Sequence, residues 1–406
     1  MREGWREVTL GSLAIRRTDF TPVVADQLYR VVGVQRSGWG LVDRDPMRGD
    51  SMKFDKLMEL HADDLVYRTI TAFEAPSTVV TSEFEGAFVT PQTFPVYSLD
   101  RSTLLPGYMA LLTTSPTFHE DMSSRCVGTV LRRKTLSKGA FESIPIALPP
   151  LVEQRRVVDL IAAVDDAIEA AEGEALSAAR LLNSVLDAAG ATTIASIGSV
   201  AAISSGASWV KADVQSSADA GDPVLTIANT KPDGTVTGAP TYVAGLSAKT
   251  GRLTASSIVA IRTNGNHDRI GNVYRAPDEY LGAAVSAFQL IVEPFIPEDC
   301  AYLYWMMRRP IFQSEITRAA SGSTGLGNIA ATKLREMTIA WPEDANDRTE
   351  RVLTYEELES SRAAARAHAD ALHTLRSNLL TVLLSGEHEI PSSYDQFLSL
   401  DEEAAA

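Results

Sequence analysis

The chain has 406 residues, 45% hydrophobic and 22% charged, with a net charge of −15. At roughly 150 residues per domain this is two or three domains with buried cores, which excludes wholesale disorder. Two cysteines, Cys126 and Cys300, exclude a disulfide framework and a cysteine-rich zinc site, and no apolar run reaches the ~20 residues of a membrane span. Residues 1–5 lack the apolar stretch of a signal peptide, so a reduced, cytoplasmic location is expected.

The charge is unevenly placed. Residues 1–150 carry 17 Lys/Arg against 18 Asp/Glu (net −1), 151–195 carry 3 against 8 (−5), 196–345 carry 12 against 14 (−2) and 346–406 carry 5 against 12 (−7). The two short blocks therefore hold 12 of the 15 excess negative charges. The two large blocks are near neutral and free to carry basic faces.

From the N-terminus, strand-like runs such as Leu28-Tyr-Arg-Val-Val32 and Thr78-Val-Val-Thr81 alternate with Gly/Pro/Asn/Asp turns. A helical pattern follows over 107–123. A long helix is expected after Pro149-Pro150, since proline pre-sets a helix start and cannot continue one. Val157, Ile161, Val164, Ile168, Ala171, Ala175, Ala178, Leu182 and Val185 recur at spacings of 4 and 3, an a/d seam of about four heptads, with Gly190 as its stop. The ~38 residues of such a helix span on the order of 57 Å.

The second half repeats this order. Strand-like runs Ile258-Val-Ala-Ile261 and Phe288-Gln-Leu-Ile-Val292 precede a helical pattern over 300–318 and a long helix over 348–385. There Leu358, Ser361, Ala365, His368, Leu372, Leu375, Leu379 and Val382 form the expected seam, and Gly386 the C-cap. Two heptad helices in one chain pair most simply with each other, antiparallel.

Matched residues bind the halves together. Leu10-Gly-Ser-Leu13 matches Ile197-Gly-Ser-Val200 at an offset of 187, and Arg68 matches Arg262 at 194. Gly86-Ala-Phe-Val89 matches Gly282-Ala-Ala-Val285 at 196, and Tyr108, Pro116, Phe118 and Gly128 match Tyr302, Pro310, Phe312 and Gly322 at 194. Ile146-Ala-Leu-Pro149 matches Ile339-Ala-Trp-Pro342 at 193. Ordered matches at a near-constant offset predict one scaffold built twice. The expected class is α+β: two similar mixed α/β domains, related by a pseudo-two-fold axis and separated by two long helices in an antiparallel coiled coil. The expected boundaries are 1–150 (first domain), 151–190 (first helix), 191–345 (second domain), 346–386 (second helix) and 387–406 (acidic tail).

No catalytic motif stands out. The sequence lacks a P-loop, His-Glu-x-x-His, Gly-x-Ser-x-Gly and an Asn/Asp-Pro-Pro-Tyr/Phe run for methyl transfer to a base, and its six histidines show no metal-ligand spacing. Ser321-Gly-Ser-Thr-Gly-Leu-Gly327 is able to hold a phosphate through backbone N–H groups, and is equally readable as a plain flexible loop. Pro277-Asp-Glu279 lacks the following lysine of a nuclease and reads as a surface turn.

Two polar clusters suit recognition. Arg262, Asn264, Asn266, His267 and Arg269 lie in one loop after a strand; Arg pairs bidentately with guanine and Asn with adenine. Arg125, Arg132, Arg133, Lys134 and Lys138 precede the first long helix, where they are able to neutralise phosphates. Ser323 and Asn328 join the candidates from the glycine-rich loop. Each cluster is also readable as an ordinary solvated loop.

The segment Ile144-Pro-Ile-Ala-Leu-Pro-Pro-Leu-Val-Glu-Gln-Arg-Arg-Val-Val158 resembles the domain-to-helix junction of specificity subunits from type I restriction–modification systems. Gly322-Ser-Thr-Gly-Leu-Gly-Asn-Ile329 resembles that family's loop before the second junction, with Gly128-Thr129 as its weaker counterpart. The second junction departs from the pattern: Glu343-Asp-Ala-Asn-Asp-Arg348 follows Pro342, without Pro-Pro or Glu-Gln, which leaves room for a different placing of the second helix.

The resemblance implies two target-recognition domains that each read one half of a split site in double-stranded DNA. The helices would set the spacing. Two methyltransferase (modification) subunits carrying S-adenosylmethionine would dock on the chain, and a translocase–nuclease (restriction) subunit could join. The chain itself would bind no cofactor, have no catalytic role and touch no membrane. Two other readings stay open from the residues alone: a coiled-coil adaptor that never touches DNA, and a self-contained DNA-modifying enzyme.

Overall fold

A computed structural model describes residues 4–130, 133–188, 193–320 and 327–397. They fall into two compact units, Met1–Ala170 with His368–Ala406, and Ala171–Ala367. Each long helix contributes one half to each unit.

The same scaffold occurs in both. Unit 1 centres on a sheet of Ser77–Val79, Leu65–Tyr67, Val96–Leu99 and Ala14–Arg16, in that order and wholly antiparallel. Unit 2 has Val273–Arg275, Ile258–Ile261, Gln289–Pro294 and Ala201–Ser205, in the equivalent order and again antiparallel. A two-stranded ladder closes each unit, Arg6–Thr9 with Pro145–Leu148 and Ile194–Ser196 with Thr338–Ala340.

The matched residues are those that build this frame. The Leu10 N–H donates to the Ile144 carbonyl and the Ile197 N–H to that of Met337, both at 2.9 Å. The glycine after each is a close-approach position: a Cβ on Gly11 would lie 3.0 Å from Glu142 Cβ, and one on Gly198 3.1 Å from Arg335 Cβ. Tyr108 and Phe118 are buried in unit 1, as are Tyr302 and Phe312 in unit 2.

The helical patterns over 107–123 and 300–318 are each two helices, Pro106–Thr113 with Pro116–Ser124 and Cys300–Arg308 with Pro310–Ala319. The break falls where Pro116 and Pro310 restart the chain, because proline is tolerated in a first turn and not within a helix. The outer sheets differ. Unit 1 pairs Phe88–Val89, Lys56–Glu59 and Thr21–Pro22, whereas unit 2 orders Val214–Gln215, Thr241–Val243, Asp222–Leu225 and Ala284–Val285.

The junctions reach one geometry by different chemistry. The first helix, Leu151–Asp187, carries Gln154, which is fully buried. Its amide donates to the Thr103 and Pro149 carbonyls, and its oxygen accepts from the Leu105 N–H, all at 2.9 Å. The second helix, Ala345–Leu384, carries Arg348 one repeat further on. Arg348 donates to the Pro342 carbonyl at 2.6 Å and forks onto Asp299 at 2.8 and 3.2 Å. Pro342 matches Pro149 and Asp299 matches Leu105 at offsets of 193 and 194. A buried ion pair thus replaces a buried amide, and the second helix enters its unit as the first does despite the missing Pro-Pro and Glu-Gln.

All nine seam positions of the first helix are buried or half-buried. In the second helix the register differs from the sequence reading. Leu358, Ala365, Leu372, Leu379 and Val382 are half-buried as expected, but Ser361, His368 and Leu375 are exposed, and Arg362, Ala369 and Arg376 take their places, with Leu383 buried beside Val382. Two arginines defeat a seam read from apolar spacing, because a long stem packs while its head finds a carboxylate. Arg362 forks onto Glu359 at 2.7 and 2.8 Å, and Arg376 pairs with Asp165 across the helices.

The helices pair antiparallel within each unit. In unit 1, Val157 and Ile161 pack with Leu380 and Leu383; in unit 2, Leu182 and Leu186 pack with Tyr355. Gly386 takes the left-handed conformation, φ +74°, that ends the second helix, while Gly190 lies outside the described residues. Beyond Gly386, Ile390 is buried, the Tyr394 hydroxyl donates to Asp159 at 2.8 Å, and Arg156 forks onto Asp395 at 2.5 and 2.6 Å.

Candidate nucleic-acid interface

In unit 2 the buried strand Ile258–Ile261 delivers the loop 262–269. Its first residues, Thr263–Asn264, form a short ladder with Gly327–Asn328. Arg262 Nε donates to Asn328 Oδ1 at 3.1 Å, and Thr263 Oγ1 donates to the same oxygen at 2.8 Å. The Asn264 side-chain oxygen accepts from the Asn266 N–H at 2.8 Å, and that of Asn266 from the Asp268 N–H at 3.0 Å, so each amide NH2 remains available for an outside acceptor. Asn266 and His267 are exposed. Arg269 turns inward and donates to Thr230 O at 3.0 Å and Oγ1 at 3.1 Å.

Two glycines hold this loop to its neighbours. Gly271 has φ +87°, and a Cβ there would lie 2.4 Å from Ile316 Cγ2. A Cβ on Gly327 would meet Ile270 at 2.4 Å and the His267 ring at 2.9 Å. Residues 321–326, Ser323 among them, lie outside the described residues.

In unit 1 the basic segment occupies the equivalent place. Val127 and Thr135 exchange backbone hydrogen bonds at 2.9 Å, and Thr135 also pairs with Ile70 in the loop after strand Leu65–Tyr67. Arg133 is exposed, while Lys134 and Lys138 are half-buried. Arg125 pairs with Asp121 one helical turn back. Arg132 lies outside the described residues. The two clusters chosen from sequence are therefore opposite members of one arrangement, a loop after the second sheet strand hydrogen-bonded to a segment just before the long helix. Each unit has both members.

The sequence reading missed three exposed residues beside these loops. Trp39 is 62% exposed at a hairpin tip, with the Arg36 guanidinium 4.6 Å from its ring centroid. That tip is tied to the loop, since the Ser37 N–H donates to Glu74 and Ala75 carbonyls at 3.0 Å. Phe288 is 53% exposed next to Arg262, whose N–H donates to the Phe288 carbonyl at 2.8 Å. An aromatic residue between turn residues and an apolar run was the available signal.

Neither cysteine resembles an activated nucleophile. Burial pushes the Cys300 thiol up to about 11 and raises that of Cys126, the reverse of a reactive thiolate. Among the described residues no group of three or more His, Cys, Asp and Glu side chains is placed to hold a metal ion. Among them, too, no helix is long and apolar enough to cross a membrane.

No family model and no curated protein matches this chain. Solved structures do. The HsdS subunit from Thermoanaerobacter tengcongensis is 17% identical with a TM-score of 0.51, over 96% of this chain and 98% of that one. A chain from a study of complex assembly and conformational transition in a type I R-M system is 15% identical with a TM-score of 0.68, over 96% and 99%. The type I restriction–modification S subunit from M. genitalium is 12% identical with a TM-score of 0.52, over 93% and 96%. The chain has the type I S-subunit fold.

Within this S-subunit fold the two loop surfaces are built alike and furnished differently. The loops begin with the same pair, Arg68-Thr69 and Arg262-Thr263. One residue later they diverge, to Ile70 in unit 1 and Asn264 in unit 2. Arg68 spends its guanidinium on the Ile70 carbonyl and Glu74, at 3.1 Å each, and Arg262 on Asn328.

Proposed function

We propose that this chain is the sequence-specific DNA-recognition subunit of a type I restriction–modification complex. Each unit reads one half of a split target in double-stranded DNA, and the paired helices fix the spacing of the halves. Methyltransferase subunits, two per chain, dock on it and supply S-adenosylmethionine, and a restriction subunit joins that assembly. The chain binds no cofactor of its own and takes no catalytic part.

The observation that carries this reading is one scaffold built twice, with a rigidly seated loop pair at the same place in each copy and different side chains upon it. Such an arrangement suits two recognition events of different specificity. The Asn264 and Asn266 amides offer donors to base edges in unit 2, and Arg133, Lys134 and Lys138 in unit 1 offer partners for phosphates. The acidic helices keep away from the polyanion and suit protein partners. The test is methylation-sensitive sequencing of DNA from cells expressing the chain with its cognate methyltransferase. Modification of a bipartite motif, lost when this chain is omitted, is expected. Methylation that persists without the chain, or a single uninterrupted motif, overturns the reading.

A further inference from the structure

We infer that unit 1 reads its half-site by apolar contact with thymine 5-methyl groups, through Ile70 and Val127, whereas unit 2 reads by hydrogen bonding. This rests on the function proposed above and names the chemistry of one of its two surfaces. Ile70 and Val127 both pair with Thr135, in antiparallel register from either side. Residues directly opposite in such a ladder project from the same face. Ile70, Thr135 and Val127 therefore form one row across three short strands. Ile70 is 48% exposed and Val127 65%.

An exposed β-branched pair in a small ladder covers no core and needs an occupant. The charge around it selects that occupant. Arg125 is neutralised by Asp121, but the segment 132–138, which carries Thr135, holds four Lys/Arg and no Asp or Glu in sequence, a charge that suits a polyanion. The Val127/Thr135 pair is a two-stranded ribbon of the kind that fits the major groove, with Ile70 beside it, and the thymine methyl is the apolar group displayed there. In unit 2 the corresponding loop position is Asn264, and its ladder partner segment carries Asn328, both hydrogen-bonding residues. Equivalent places on the two scaffolds thus differ in kind.

The experiment uses the full chain with its methyltransferase partner on the split target. Each thymine is replaced singly by deoxyuridine, which lacks the methyl and keeps the pairing edge. At one or two positions, confined to one half-site, binding should weaken about fourfold, the equivalent of ~0.8 kcal/mol for one buried carbon. The Ile70→Ala/Val127→Ala chain should bind the thymine and deoxyuridine duplexes alike. Asn264→Ala should keep the thymine preference and lose discrimination in the other half-site. Both residues of the double variant are exposed, and an unchanged melting temperature shows that it folds. If no position responds to deoxyuridine, or the response survives in the double variant, the inference is overturned while the reading as a specificity subunit stands. If no split target is bound, both fall.

Discussion

The loops 68–75 and 262–269 show how this chain separates scaffold from display. Both follow the second strand of the central sheet, both begin Arg-Thr, and both end in a short 3-10 turn, Ala72–Glu74 or His267–Arg269. Between these fixed points one presents Ile70 and the other Asn264, Asn266 and His267. The repeated residues are those that seat the loop, and the unrepeated ones face outward. Sequence similarity between the halves is thus concentrated in the scaffold, and the low identity elsewhere lies on the surfaces that the proposed function assigns to two specificities.

The first expected outcome uses the helices, which both units share. One heptad inserted into each adds roughly 10 Å of helix, about three base pairs. Methylation of the native target should be abolished and should reappear on the same half-sites with a longer spacer. Altered half-sites at unchanged spacing would separate the helices from the ruler function.

The junctions give a large contrast in stability. Arg348→Ala leaves Asp299 as an uncompensated buried charge and should cost about 3–5 kcal/mol. Gln154→Ala leaves the neutral backbone groups of Leu105, Thr103 and Pro149 unpaired and should cost about 1–3 kcal/mol. Denaturant unfolding of the two variants measures the difference. Equal losses would mean that the ion pair and the amide contribute alike.

Within the loops, Asn264→Ala should lower discrimination at one base of one half-site by about 1–3 kcal/mol, with unfolding unchanged. Methylation rates on singly mismatched targets read this out. A uniform loss on all targets, flattening the salt dependence, would instead make Asn264 a phosphate contact.

The smallest expected effect is a pH response confined to unit 1. The Arg156 guanidinium beside Asp395 holds that carboxyl below its ordinary range. A carboxyl depressed in the folded state stabilises at neutral pH, and its contribution disappears as pH falls through the folded value. The protection of the amides of residues 387–397, measured against intrinsic exchange rates at each pH, should therefore be lower at pH 3 than at pH 6, and in Asp395→Asn it should not change over that window. The unit 2 helix ends serve as the internal control.

The duplication, the two long helices, Gly386 as a terminator and the first helix seam were all legible in the residues. Each follows from local rules: a conserved offset, a 3–4 spacing, a glycine with φ above zero, a Pro-Pro helix start. The expected links failed where a side chain acts over long sequence distance. The second seam was misread because Arg376 finds Asp165, 211 residues away. The second junction looked incomplete because Arg348 replaces Gln154 by reaching Asp299, 49 residues back. Folding also gave the two clusters, one in each unit, equivalent places in the repeated scaffold, and added Trp39 and Arg36 beside the loop of unit 1 and Phe288 beside that of unit 2. Spacing along a chain records which face a residue takes on its own helix or strand; only tertiary packing decides which buried charge meets its partner and which loops share a surface.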